Sequence, residues 1–250
     1  MNSHQRIPVS SEPLARGVIE FLGGPMGRFA GVRPTQWWTP LRAIIAVGWV
    51  FLACGFLSKA NCAGGTRGDD GVISLNWAAN RQYTSFCYND IIPLYGARGL
   101  DQGGFVYDYS WVEDGLTRYM EYPVLSGMLI YLGAIGAHND TEFFTQSALL
   151  LAPFGFAITV LLASMVRWWA LLWAATPPLV LYSFHNWELP VVATAVGAVA
   201  VMAWGASVHP VTRRRRLPLR TSAVIAAVLL AIGFCLKLYP GIFVLPLAAY

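Results

Sequence analysis

Of 250 residues, 56% are hydrophobic and only 12% are charged, with 17 Lys and Arg against 13 Asp and Glu. Soluble domains carry about 25% charged residues, so the composition excludes an ordinary water-soluble chain and points to an integral membrane protein. The cations stand at the ends of apolar runs rather than on one solvated face of the kind nucleic-acid binding needs, and no nucleic-acid partner is expected.

The chain divides into a tail, residues 1–40, and one membrane domain, residues 41–250. The tail is not a signal peptide, because a signal would carry its apolar core near the start, whereas here the first apolar run opens near Leu41. A first span is predicted over residues 41–58. Residues 1–42 hold five arginines against two acids, and residues 59–121 hold eight acids against five bases. The excess of cations on the cytoplasmic side of membrane proteins then puts the N-terminus inside and the following loop outside.

That loop, residues 59–144, is rich in glycine, so turns are frequent. Its short apolar piece Ile91 to Tyr95 is predicted as a brief helix lying along the membrane surface. Tyr122 to Ala137 is a 16-residue apolar run, below the roughly 20 residues a membrane helix needs. The polar group His138-Asn139-Asp140-Thr141-Glu142 interrupts it. Spans follow at about 145–166, 168–184, 189–208 and 221–236, with a partial one at 240–250, so the bundle is expected to be incomplete at its C-terminus.

Parity decides the short run. Arg213 to Arg216 with Arg220 are the strongest cytoplasmic signal in the chain. They lie inside only if four crossings precede them, so residues 122–137 are expected to be re-entrant or to lie on the outer surface. Glu121-Tyr122-Pro123, Asp90, His185-Asn186-Trp187-Glu188 and Lys237-Leu238-Tyr239-Pro240 then all fall at the outer membrane edge.

Three polar positions carry candidate chemistry. Asp90 stands just ahead of an apolar run, and a carboxylate near an apolar surface suits a general base; Asp69, Asp70, Asp101, Asp108, Asp114 and Glu121 are its rivals. Lys237 ends an apolar run, where a charge is costly unless it has a function. It either snorkels to the interface or pairs with an anionic lipid phosphate. His185, Asn186 and Glu188 flank Trp187, either as filler in an aromatic belt or as hydrogen-bonding groups for sugar hydroxyls or a metal. Cys54 and Cys235 lie in apolar runs as packing residues. Cys62 and Cys87 lie in the loop, where both a disulfide and two free thiols are open readings. No CxxC or HExxH metal spacing occurs.

An aspartate followed by Ile91-Ile92-Pro93-Leu94-Tyr95, then Gly103-Gly104-Phe105-Val106-Tyr107, then Glu121-Tyr122-Pro123-Val124 opening an apolar segment, resembles the GT-C membrane glycosyltransferases. The closest likeness is to glycosyltransferase family 87, the polyprenyl-phosphate-sugar-dependent enzymes of actinobacterial cell-envelope assembly. Asn186-Trp187-Glu188 and Lys237-Leu238-Tyr239-Pro240 resemble that family as well. The likeness covers roughly residues 40 to 250. Family members often have Tyr-Pro-Pro where this chain has Tyr122-Pro123-Val124, and they are longer, with more spans.

The resemblance implies an all-α, polytopic GT-C helix bundle in the plasma membrane with an extracytoplasmic first loop. It implies transfer of a mannosyl or arabinofuranosyl group from a polyprenyl phosphate to a glycolipid or glycan. Asp90 would be catalytic; Glu121, Tyr122, His185, Asn186, Glu188, Lys237 and Tyr239 would bind substrate, and a divalent metal is left open. The other readings are a polytopic transporter, which would show an inverted repeat and mid-membrane charges, and a non-catalytic scaffold or truncated homologue.

Overall fold

The structure is a computed structural model describing residues 39–69, 73–208, 215 and 217–249. The predicted tail up to residue 38, Asp70 and all of the Arg213 to Arg216 run except Arg215 lie outside these residues. The molecule is mostly helical, and among the described residues four helical stretches are long and apolar enough to cross a membrane: 40–60, 140–174, 188–206 and 219–236.

The first, α1 (Pro40–Ala60), starts at Thr39, whose hydroxyl accepts from the Arg42 amide at 3.3 Å, with proline in the first turn. Such a cap satisfies an amide that has no partner within the helix. The loop that follows is more structured than its glycines suggest. It holds an antiparallel pair β1 (Thr66–Arg67) and β2 (Ile73–Ser74), a single turn α2 (Arg81–Thr84), a helix α3 (Ile91–Ala97) and a hairpin of β3 (Ser110–Glu113) with β4 (Leu116–Tyr119). The loop was expected to carry turns and short helices only, so its strands are an addition to the all-α reading.

Two expectations about this region are corrected. The α3 helix does not lie on a surface: Ile91, Ile92, Leu94 and Tyr95 are buried in the main core. The Tyr95 ring stacks on Phe143, and its hydroxyl donates to the Ala137 carbonyl at 2.8 Å. The polar group at 138–142 interrupts the apolar run as expected, between helices ending at Ala134 and starting at Asp140, but it also belongs to the start of the second. Asn139 Oδ1 accepts from the Glu142 amide (2.9 Å) and Glu142 accepts from the His138 amide (2.8 Å), a reciprocal cap. The long helix α5 (Asp140–Val166) therefore begins five residues before the predicted start at 145.

Between the loop and α5 stands α4 (Val124–Ala134), only 11 residues long. At 1.5 Å per residue it is about 16 Å long, short of the ~30 Å apolar thickness of a bilayer. Its first turn is held to the end of the fourth long helix by Ser126, whose hydroxyl donates to the Leu236 carbonyl at 2.7 Å. Its last turn packs at Gly133 against Ser147, near the start of α5. Both anchors lie at the end of the bundle that carries the loop. Gly127 admits the Tyr107 ring, and the Tyr107 hydroxyl donates to the carbonyls of Tyr122 and Pro123 (both 3.0 Å). Gly127→Ala is expected to push Tyr107 out, break both bonds and lower stability by about 1–3 kcal/mol. Thermal unfolding in nanodiscs checks this, and Tyr107→Ala combined with Gly127→Ala should cost less than the sum of the two single changes.

The helices of the bundle meet through small residues, which let backbones approach closely inside a membrane. Gly48 faces Thr159, Gly155 faces Leu52 and Phe56 stacks on Phe144, so α1 and α5 run antiparallel. The span expected at 168–184 is not one helix. After Arg167, in the left-handed region at φ 52°, come a 3-10 turn to Ala170, α6 (Leu171–Ala174) and α7 (Pro177–Tyr182). Pro177 and Pro178 explain the break, since proline lacks the amide a continuing helix needs. The broken segment still climbs back beside α1, with Ala170 and Ala174 clustered with Ile44, Val180 and Ser183 at Gly55, and Phe184 at Phe56. Then α8 (Glu188–Ala206) and α9 (Leu219–Leu236) run antiparallel, with Gly205 facing Ser222 and Gly233 facing Thr194. A 3-10 turn, Tyr239–Phe243, and α10 (Val244–Ala249) complete the described chain. Cys54 and Cys235 are exposed on the outside of the bundle rather than packed in it.

Candidate functional site

The predicted site residues come from four separate stretches, and the fold brings most of them to the loop end of the bundle. Asp90 is placed by its neighbours. Asn89, not Asp90, caps α3: its Oδ1 accepts from the amides of Ile91 (3.1 Å) and Ile92 (2.9 Å), and its amide donates to the Cys87 carbonyl (3.0 Å). The Asp90 carboxylate is thereby left free of the helix and one-third exposed. Its backbone amide donates to the His185 carbonyl at 2.7 Å, fastening the loop to the chain ahead of α8.

Three further ties hold this segment. Cys62 and Cys87 form a disulfide, so of the two open readings the bonded one holds. Lys59, the last cation of α1 and almost wholly buried, donates to the carbonyls of Phe86 (3.1 Å) and Tyr88 (2.8 Å). His185 Nδ1 lies 3.3 Å from the Tyr88 carbonyl, while its Nε2 lies 3.6 Å from Asp90 Oδ2. Both ring nitrogens thus face acceptors, and only the doubly protonated ring can donate to both. Protonation of His185 turns the contact with Asp90 into an ion pair.

Tyr122 stands beside this pair, its ring edge-on to Trp187 at 5.7 Å. Burial, then the negative charges of Asp90 and Glu121, push its phenol up to about 12. Burial, then the charge of Asp90, also raises the Tyr88 phenol. Both hydroxyls keep their protons across the neutral range. Glu121 turns away, to Arg98 at 2.8 Å, and Arg98 in turn lies 3.9 Å over the Trp111 ring. Partial burial pushes the Glu121 carboxyl up, but the hydrogen bond and charge of Arg98 outweigh it and hold the group below the usual glutamate range.

The second group sits at the start of α8. Glu188 accepts from Lys237 on one oxygen and from the Tyr239 hydroxyl on the other (3.0 Å), across about fifty residues of sequence. Burial, then the charge and hydrogen bond of Glu188, raise the Tyr239 phenol. Lys237, read from the sequence either as snorkelling to the interface or as pairing with a lipid phosphate, is held on Glu188, both side chains being partly exposed. Asn186 has a buried side-chain oxygen with no partner among the described groups. No three His, Cys, Asp or Glu side chains gather into a metal-holding group among the described residues.

Lys59, Tyr88 and Asn89 were not singled out from sequence. Lys59 had a usable signal: like Lys237 it closes an apolar run. Asn89 is a strong cap residue ahead of a short apolar helix. Asp140 was noted only as part of a polar interruption; it is buried, and its carboxylate accepts from the amides of Gly64 (3.2 Å) and Gly65 (2.9 Å), pinning the far side of the loop to α5. No family profile, curated protein or solved structure matches the chain.

Proposed function

We propose that this chain is a membrane glycosyltransferase of the GT-C type, moving a sugar from a polyprenyl phosphate to a hydroxyl of a glycolipid or glycan on the extracytoplasmic face of the plasma membrane. The observation that carries the reading is the meeting of Asp90 and His185 with Tyr122 and the Glu188, Lys237 and Tyr239 group at one end of an apolar helix bundle. A base and a cation at a membrane boundary suit a water-soluble hydroxyl reacting with a lipid-borne phosphate. The disulfide between Cys62 and Cys87 favours the extracytoplasmic side, because disulfides persist in oxidising compartments.

The step is a displacement. Asp90 accepts the proton of the acceptor hydroxyl, whose oxygen forms a bond to the anomeric carbon. The bond from that carbon to the phosphate oxygen breaks, and the polyprenyl phosphate leaves with the electron pair. Lys237 moves from Glu188 towards the leaving phosphate, and Tyr239, which keeps its proton, donates to it. His185 faces the same carboxylate and orients it.

The test is the full chain reconstituted in liposomes with labelled polyprenyl-phosphate mannose or polyprenyl-phosphate arabinofuranose and short glycan acceptors. Label is expected in the glycan, and an impermeant thiol reagent is expected to reach cysteines placed singly at Asn186 and Lys237 from the outside. Absence of transfer from both donors in correctly inserted protein overturns the reading.

A further inference from the structure

The loop ahead of Asp90 carries a row of aromatic rings that no step above uses. Trp77 and Tyr88 have ring centres 5.5 Å apart, Tyr83 stacks on Tyr88 at 5.8 Å with planes 18° apart, and Tyr88 meets His185 at 5.4 Å. His185 is the residue facing Asp90. The row therefore runs from the loop to the proposed base. Its outer member, Tyr83, is 63% exposed, so one broad ring face is open beside the site.

Two polar atoms in the same stretch are enclosed without a partner: the Trp77 indole nitrogen, a donor, and the Gln82 side-chain oxygen, an acceptor. Buried polar groups are normally satisfied, and an unsatisfied one in a native fold calls for a reason. The backbone here is also unusual, with Ala79, Asn80 and Phe86 all in the left-handed region. Non-glycine residues seldom adopt it, and such strain concentrates at ligand sites.

We infer that Tyr83, stacked on Tyr88 and backed by Trp77, forms a carbohydrate subsite that holds the ring of the acceptor sugar against His185 and Asp90. A sugar ring has one face of C–H groups, which packs on an aromatic face, and a rim of hydroxyls that both donate and accept. The open Tyr83 face fits the first, and the Asp90 carboxylate facing His185 accepts from the second. A phosphate has no such face, so the subsite takes a sugar ring rather than the lipid phosphate of the donor.

This inference rests on the proposed transfer for the ligand's identity, yet it can be measured without transfer. The probe is a panel of methyl disaccharides of mannose, arabinofuranose, galactose and glucose. Saturation-transfer NMR would be run on the full chain in nanodiscs. At least one disaccharide is expected to receive saturation through its C–H protons. Tyr83→Ala should weaken that binding about tenfold or more. Tyr83→Phe keeps the ring face and should weaken it less. No saturation in any disaccharide, or equal binding by Tyr83→Ala with the disulfide and insertion intact, overturns the subsite. Sugar binding without transfer by the parent would leave the subsite standing and remove the reaction. Transfer with an acceptor KM unchanged in Tyr83→Ala would do the reverse.

Discussion

Asp90→Asn is expected to lower sugar transfer by about 10²- to 10⁴-fold, the range a positioned general base contributes, while membrane insertion and thermal stability stay close to the parent. The separation of the two effects follows from the local structure. Asn89 carries the capping of α3, so the Asp90 side chain has no helix amide to lose. Its carboxylate is one-third exposed, and asparagine keeps its shape. The neighbouring hydroxyls do not replace it: Tyr122, held up at about 12, and Tyr88, raised by burial and by Asp90 itself, keep their protons at neutral pH. Asn89→Ala is the contrasting control, expected to cost about 1 kcal/mol through the lost cap. Transfer rates and unfolding temperatures on the same reconstituted samples check both, and an Asp90→Asn variant that retains full transfer sinks the assignment of the base.

The second large effect concerns the disulfide. Cys62→Ala with Cys87→Ala should remove about 3 kcal/mol, as expected for a cross-link closing a loop whose ends are 25 residues apart. Cys62 directly follows the turn that ends α1, and Cys87 precedes Asp90 by three residues. The cross-link and Lys59 hold the same segment, so after its loss the Lys59 ammonium, with the Ser58 hydroxyl at 3.3 Å from the Phe86 carbonyl, still ties Phe86 and Tyr88 to the helix. Local opening there is expected to expose residues 76–90 to protease and to lower transfer, with α1 still inserted. A membrane-impermeant reductant applied to the parent protein should reproduce both changes. Unchanged protease resistance and unchanged melting after full reduction would show that the cross-link does not govern this segment.

Much of this architecture is legible in the residues alone, because hydropathy and charge are local properties of a chain. Four apolar stretches, the short run at 122–137 and the acid-rich loop follow from which residues stand next to each other. The break at 168–184 was also marked, by Pro177-Pro178, but an apolar run masks it when only its length is read. The cap at 138–142 had the same fate: Asn139 and Glu142 are three apart, a helix-start signature, and their polarity suggested an interruption alone.

What the sequence determined by itself is therefore an apolar, mostly helical chain with a polar loop that presents an aspartate, two cysteines and a set of aromatic residues. Only the tertiary structure decided which of these act together. His185 meets Asp90 across 95 positions, Lys237 meets Glu188 across 49 and Asp140 reaches Gly64 across 76. The physical reason is that partners at such separations are chosen by how helices pack, through the glycines and small residues that set their spacing. A charge at the end of an apolar run looks the same in sequence whether it faces a phosphate, a backbone carbonyl or a carboxylate. Lys59 found two carbonyls, and Lys237 found Glu188.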